Sequence, residues 1–447
     1  MGVYMSYTPL PLNAAKDAVL TEQKAGTSAT VDDGGLSLSV DDFGGSITVD
    51  TDDGPIQSEI VGLGGSKADV SRYGQLITGV RRDDILVRFE YNNSDEDVLE
   101  VASGTGATGN ADAMASVSPG TGVGAASIAS NRFVTYRPGH EVYAFFTTLY
   151  ATPEADTYQR HGIYDIDDGF FFGYEGTTFG VSLRKDAADT QIAQANWNID
   201  ICDGTGPSGF NLDHETLLQY KISYGWLGSA PITFWIYGGV ELDWIRVHVI
   251  DQTNASASPS ISEPSQGIMI ESGRTTGTGV ALLVKTSSWG AGTIEGSHTH
   301  AGHRVFAGNA STTLVAGVET LMAAFRNKST FQGRTNKVTI EAVYMGAASD
   351  GNKSVLVNFY RNATITGGTW NDVDANNSVT EANTTATFTG GKYEMTVPLS
   401  KIDSVSLNLG AGHIHLELFP GESMTVAGLS ANANDVVLSF RWEEYFS

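Results

Sequence analysis

The chain has 447 residues, 41% of them hydrophobic and only 17% charged, with a formal net charge of -25 and a pI of about 4.6. A field of that sign repels nucleic-acid phosphates and anionic headgroups, so neither nucleic acid nor membrane is an expected partner. The single cysteine, Cys202, excludes an intrachain disulfide framework, no apolar run approaches the length of a membrane span, and no signal peptide is visible at the N-terminus.

Gly is abundant, at 52 residues, and Thr, Ser and Asn are common while Lys and Glu are scarce. That balance favours strands and turns over helices. The expected fold is all-β and multidomain: two antiparallel, jelly-roll-like β-sandwiches preceded by a short β-repeat region.

Residues 1–25 carry a thin apolar stripe, with Leu12, Ala15 and Val19 near one face. A stripe that narrow cannot bury itself, so the segment is expected to dock on another subunit. Residues 26–102 form the repeat region. Within it, Asp32-Asp-Gly-Gly35, Asp41-Asp-Phe-Gly-Gly45 and Asp52-Asp-Gly54 alternate with short apolar runs. Such a unit cannot enclose a core alone, which suits either an intertwined homotrimer or a plain meander. Residues 103–130 are almost wholly Ala, Gly, Ser and Thr, and read as a linker.

Residues 131–253 are the central aromatic sandwich. Arg132-Phe-Val-Thr-Tyr136, Glu141-Val-Tyr-Ala-Phe-Phe146, Gly169-Phe-Phe-Phe-Gly-Tyr174 and Ile232-Thr-Phe-Trp-Ile-Tyr237 are rich in aromatic and β-branched residues. Asp-Gly, Glu-Gly and Gly-Gly pairs cut them, as hairpins require. Cys202, in an apolar alternation, reads as a buried small hydrophobe. Residues 254–265, rich in Ser and Pro, mark a boundary. Residues 266–447 return to strands as a second sandwich. The run 313–326 reads as its one helix, or as two strands.

Few residues offer chemistry. Asp165, Asp167 and Asp168, in Asp165-Ile-Asp-Asp-Gly169, resemble the front half of a calcium loop. The position that should supply the distal carboxylate is Gly176, with Glu175 beside it, and the same pattern is an ordinary Asp-Gly turn. His298 with His300, and His413 with His415, each put two imidazoles on one strand face, a donor set for a transition metal. No cofactor other than such a metal is expected. The nucleophile elbow, P-loop and dinucleotide fingerprint are absent, and Cys202 has no cationic neighbours in sequence. Glu141, Asp168 and Glu175 are the carboxylates nearest the aromatic cluster and read as solvated turn residues rather than a glycosidase pair. No enzyme activity is expected.

Aromatic faces are the better binding surface. In 232–237, one parity carries Ile232, Phe234 and Ile236, and the other carries Thr233, Trp235 and Tyr237. The first set is expected in the core. Trp235 and Tyr237 are the surface-binding candidates, suited to stacking on sugar rings.

The runs Tyr136-Arg-Pro-Gly-His-Glu-Val-Tyr-Ala-Phe-Phe-Thr-Thr148, Gln159-Arg-His-Gly-Ile-Tyr-Asp-Ile-Asp-Asp-Gly-Phe-Phe-Phe-Gly-Tyr174 and Tyr224-Gly-Trp-Leu-Gly228 resemble a module of tailed-bacteriophage virion proteins. Leu418-Phe-Pro-Gly-Glu-Ser-Met-Thr-Val426 and Ser439-Phe-Arg-Trp-Glu-Glu444 resemble the terminal strands of such proteins, as Thr8-Pro-Leu-Pro-Leu-Asn13 resembles their N-terminal segment. The resemblance implies a non-enzymatic, multimeric structural part of a virion: tail, fibre or head appendage. Its implied partners are other virion proteins, through residues 1–25, and a host-surface glycan. The competing expectation is an extracellular carbohydrate-active enzyme, or a carbohydrate-binding module with a lectin-like sandwich.

Overall fold

The computed structural model describes residues 80–240, 242–295, 303–351, 353–401, 403–408 and 416–446, together with three short strands nearer the N-terminus. The chain divides into two units, Met1–Ala68 and Asp69–Ser447. In the first, Thr27–Asp32 pairs antiparallel with Gly35–Val40, and Val19–Leu20 pairs with Thr27–Asp32. Asp32 faces Gly35 in the antiparallel register. The two later acidic turns of the repeat lie outside the described residues.

The second unit holds two antiparallel sandwiches, as expected, and no α-helix among the described residues. In the first sandwich, one sheet has seven strands. Their spatial order is Ala188–Ala193, Thr178–Lys185, Gly169–Glu175, Thr157–Tyr164, Ile268–Arg274, Gly124–Ser130 and Val98–Gly104. The facing sheet has six: Asp243–Ile250, Ile232–Gly238, Leu218–Tyr224, Glu141–Thr148, Ser288–Glu295 and Val80–Arg88. Between the sheets lies a core of rings packed mostly edge-on or tilted. Phe172 is 4.9 Å from Tyr220 and 5.3 Å from Phe234, centroid to centroid. Tyr150 is 5.3 Å from Phe179. Cys202 is fully buried in this core, and burial pushes its thiol pKa up to about 12.

Two expected linkers are part of this sandwich instead. Residues 103–130 contain the strands Ala107–Ala111, Met114–Ser118 and Gly124–Ser130. The last lies between Val98–Gly104 and Ile268–Arg274, with Ala126 and Ile128 buried. Small side chains there let neighbouring layers approach; they do not signal mobility. Residues 254–259 are exposed, whereas 260–265 pack down, with Ser260 and Ile261 buried, and lead back into the seven-stranded sheet. The first sandwich therefore spans roughly residues 80–295 rather than 131–253.

The C-terminal sandwich pairs a sheet built on His303–Thr313, Asp435–Tyr445, Thr339–Ser349 and Asp403–Asn408 with a six-stranded one. In that second sheet Ser423–Ser430 lies between Thr320–Asn327 and Val355–Arg361. Met322, Phe359, Val426, Leu438 and Trp442 fill the core. The run 313–326 forms two strands, not a helix: one ends at Thr313, the next begins at Thr320, and Gly317 turns with φ +70 between them. Glu444 is fully buried here. Its carboxylate accepts hydrogen bonds from Ser378 Oγ, Thr380 Oγ1, Val379 N and Trp442 Nε1 at 2.5–3.1 Å, so the buried charge is matched by donors.

Candidate functional site

The face of the six-stranded sheet turned away from the core carries an aromatic and basic cluster. The alternation in 232–237 sets it up. Ile232, Phe234 and Ile236 are 1%, 0% and 0% exposed, whereas Trp235 and Tyr237 are half-buried on the opposite face. Register then aligns their neighbours. Phe145 lies opposite Lys221, Lys221 opposite Trp235, Trp235 opposite Arg246, and Tyr237 opposite Trp244. A bulge between Phe234 and Trp235 offsets the last strand.

Rings and cations interleave across this face. Trp244 sits 5.4 Å from Phe145 and 5.4 Å from Tyr237, and Phe145 is 5.4 Å from Tyr143. Lys221 Nζ is 4.8 Å from the Trp235 ring, 5.6 Å from Phe145 and 5.9 Å from Trp244. Arg81 covers Phe145 at 4.8 Å and Arg246 approaches Trp235 at 5.9 Å. Tyr143 donates its hydroxyl hydrogen bond to Asp83 Oδ1. Burial and that carboxylate push the Tyr143 phenol far above its usual range, so it stays a donor. The surface combines flat apolar plates with three cations, on a protein whose net charge is strongly negative. It can stack on the apolar face of a ring and pair with an anionic group.

Trp235 and Tyr237 are thus placed together, as the alternation suggested. Phe145, Lys221, Trp244, Arg81 and Arg246 were not singled out in the sequence. Trp244 and Phe145 belong to aromatic runs, but nothing in the sequence alone puts them next to one another.

The outer face of the seven-stranded sheet is different. Arg160 meets Glu175, Glu271 and Asp189 at 2.5, 3.0 and 3.1 Å, and Arg184 meets Asp189 at 2.7 Å. The two guanidiniums lie over Tyr158, Phe171 and Tyr164. Burial alone would lower the Arg160 pKa. The Glu175 hydrogen bond and the charge of Glu271 outweigh it and raise the pKa. This is a closed ion-pair network on an aromatic floor, and Glu175 belongs to it rather than to a solvated turn. Glu141 and Asp168 are also buried, at 8% and 2% exposure.

The acidic turn is likewise satisfied from within. Asp165 Oδ1 accepts the backbone N–H groups of Asp167 and Asp168, each at 2.8 Å. Asp168 accepts those of Ser262 and Glu263, each at 3.2 Å. Burial, ahead of these hydrogen bonds, raises the Asp168 pKa. Among the described residues, no group of three or more His, Cys, Asp or Glu side chains could hold a metal ion, so Asp165, Asp167 and Asp168 do not converge as a calcium site. The reason is local: amide donors engage Asp165 Oδ1 and both Asp168 oxygens, and Lys337 Nζ lies against Asp165 Oδ2. His298, His300, His413 and His415 lie outside the described residues.

No protein-family model matches the chain, and no curated protein matches it by sequence. Solved structures give distant matches over about half of the chain. A glycoside hydrolase family protein from Mycobacterium thermorestibile is 9% identical with a TM-score of 0.34, covering 46% of this chain and 99% of its own. Lectin I-B4 from Griffonia simplicifolia is 12% identical with a TM-score of 0.28, covering 47% and 100%. The cellulose induced protein Cip1 is 15% identical with a TM-score of 0.30, covering 46% and 96%.

Proposed function

We propose that the protein is a glycan-binding β-sandwich protein that holds an acidic polysaccharide on the outer face of its six-stranded sheet and does not cleave it. The interleaving of Phe145, Trp235, Tyr237 and Trp244 with Lys221, Arg81 and Arg246 carries this reading. A sugar ring presents an apolar C–H face that stacks on an aromatic plate. Basic groups beside the plate favour a uronic or otherwise anionic sugar over a neutral one. On the opposite face, Arg160 and Arg184 pair with Glu175, Asp189 and Glu271, so these three carboxylates are engaged rather than free to act on a glycosidic bond.

Calorimetric titration of the full chain with acidic and neutral oligosaccharides tests this. Binding should favour the acidic set and weaken as salt rises. Trp244→Ala should weaken it at least tenfold, equivalent to about 1.4 kcal/mol. Unchanged affinity in that variant would remove the assignment of the face. Release of new reducing ends would make the protein an enzyme and overturn the non-cleaving reading.

The resemblance of 136–148 and 159–174 to virion proteins supports a particle setting for this binding, with a host-surface glycan as ligand. Absence of the chain from purified particles would remove that setting and leave the glycan reading intact.

A further inference from the structure

A buried lysine stands between the two sandwiches. Lys337 precedes the strand Thr339–Ser349 of the C-terminal sandwich, and its side chain is only 6% exposed. Its Nζ lies 2.5 Å from Asp165 Oδ2 and 3.0 Å from Glu263 Oε2. Both acids belong to the first sandwich. Asp165 is in the turn between Thr157–Tyr164 and Gly169–Glu175, and Glu263 is in the segment leading to Ile268–Arg274. Lys337 Nζ and Asp165 Oδ2 are shut off from solvent and, though in ion-pair contact, neither is aligned in a hydrogen bond; the Phe133 ring lies 5.9 Å from Nζ. The other Asp165 oxygen, Oδ1, is the one held by the N–H groups of Asp167 and Asp168 at 2.8 Å.

We propose that Lys337 and Asp165 condense to an intramolecular isopeptide bond, with Glu263 carrying the proton. Each part of the reaction has a group in place. The proton on Nζ passes to Oδ2, converting the ion pair to an amine and a carboxylic acid. The Nζ lone pair then attacks Asp165 Cγ, and the carbonyl electrons move onto Oδ1. The Asp167 and Asp168 amides already point at that atom, as donors must to stabilise a tetrahedral oxyanion. Glu263 takes a proton from the nitrogen and delivers it to the Oδ2 hydroxyl. The Cγ–Oδ2 bond breaks, water leaves, and the carbonyl re-forms. One amine and one carboxylic acid give one amide and one water. Glu263 ends as it began, and no oxidant or other reactant is needed.

The bond would tie the sandwiches covalently, where the Arg132–Glu417 ion pair at 3.0 Å supplies only a partly exposed contact. It also gives the acidic turn a use that metal binding does not.

Mass spectrometry of the full chain decides. The unfolded protein should be lighter than its sequence by one water. Trypsin should fail to cut after Lys337, and one branched peptide should contain both Lys337 and Asp165. Glu263→Gln, which keeps the shape of the side chain, should return the protein to its sequence mass, as should Asp165→Ala. A wild-type chain at its sequence mass after long incubation at neutral pH, with Lys337 open to trypsin, would overturn the proposal. So would a water loss mapped to cyclised Asp168-Gly169 in place of the branched peptide.

Discussion

Phe234→Ala should cost the first sandwich about 3–5 kcal/mol, the usual loss for a buried aromatic truncated in a core. Phe234 is fully buried and meets Phe172 of the facing sheet edge-on, at 5.3 Å and 87°. It also lies 6.4 Å from His248. Its removal opens a cavity where the two sheets interlock, and flat rings locked by their neighbours cannot collapse into it. The adjacent Trp235 occupies the opposite face, half-buried, against Lys221 and Arg246. Trp235→Ala should therefore cost less, about 1–2 kcal/mol for partial burial. It should also weaken glycan binding, which Phe234→Ala has no reason to do in the molecules that remain folded. Denaturant unfolding of the full chain, followed by circular dichroism, measures both. Equal losses would mean that both faces are core. Residues 131–253 alone would lack five strands of the two sheets, Val80–Arg88, Val98–Gly104, Gly124–Ser130, Ile268–Arg274 and Ser288–Glu295, so the full chain is the sample.

That point marks where the sequence is legible and where it is not. Alternation is a local signal, so the inward set Ile232, Phe234 and Ile236 can be read directly. Sheet order is not local. Gly124–Ser130 lies beside Ile268–Arg274, and nothing within either run specifies the other. A strand of Ala, Ser and Gly carries no hydrophobic contrast, so residues 103–130 look like a linker until their neighbours are known. The run 313–326 has apolar residues that suit either period, and only the turn at Gly317 separates the two. The same limit applies to sites. Trp235 and Tyr237 follow from parity, whereas Phe145, Lys221 and Trp244 require the register of four strands and a bulge. The turn at Asp165 is visible in sequence. Its partner Lys337 lies in the other sandwich and is not.

Acid should destabilise the first sandwich well before its carboxylates protonate. His161 is fully buried. Its Nδ1 bonds Thr148 Oγ1 at 2.7 Å, its Nε2 has no hydrogen-bond partner, and Phe146 and Trp289 pack on the ring at 4.3 and 5.6 Å. Burial holds its pKa well below 6.5. His214 packs on Phe179 at 3.9 Å, and burial lowers its pKa to about 4 against a small opposing effect of Asp213. Burial lowers the His248 pKa as well. A histidine with a depressed folded pKa binds its proton more readily in the unfolded chain. Its contribution is complete above the unfolded value near 6.5 and is lost as pH falls toward the folded value. For His214 the loss between pH 6.5 and 4 is about 3 kcal/mol, at 1.36 kcal/mol per pH unit. His161 and His248 add to it. Acidification also relieves the repulsion within a chain of net charge -25, which acts in the opposite direction. That repulsion is spread over the surface and screened beyond about 8 Å at physiological salt, whereas the histidine cost is paid inside the core. The denaturation midpoint should therefore drop between pH 7 and 4.5, and His214→Gln should flatten the drop. A midpoint that holds or rises over that interval would show that surface repulsion dominates and that these rings are not kept neutral by the fold.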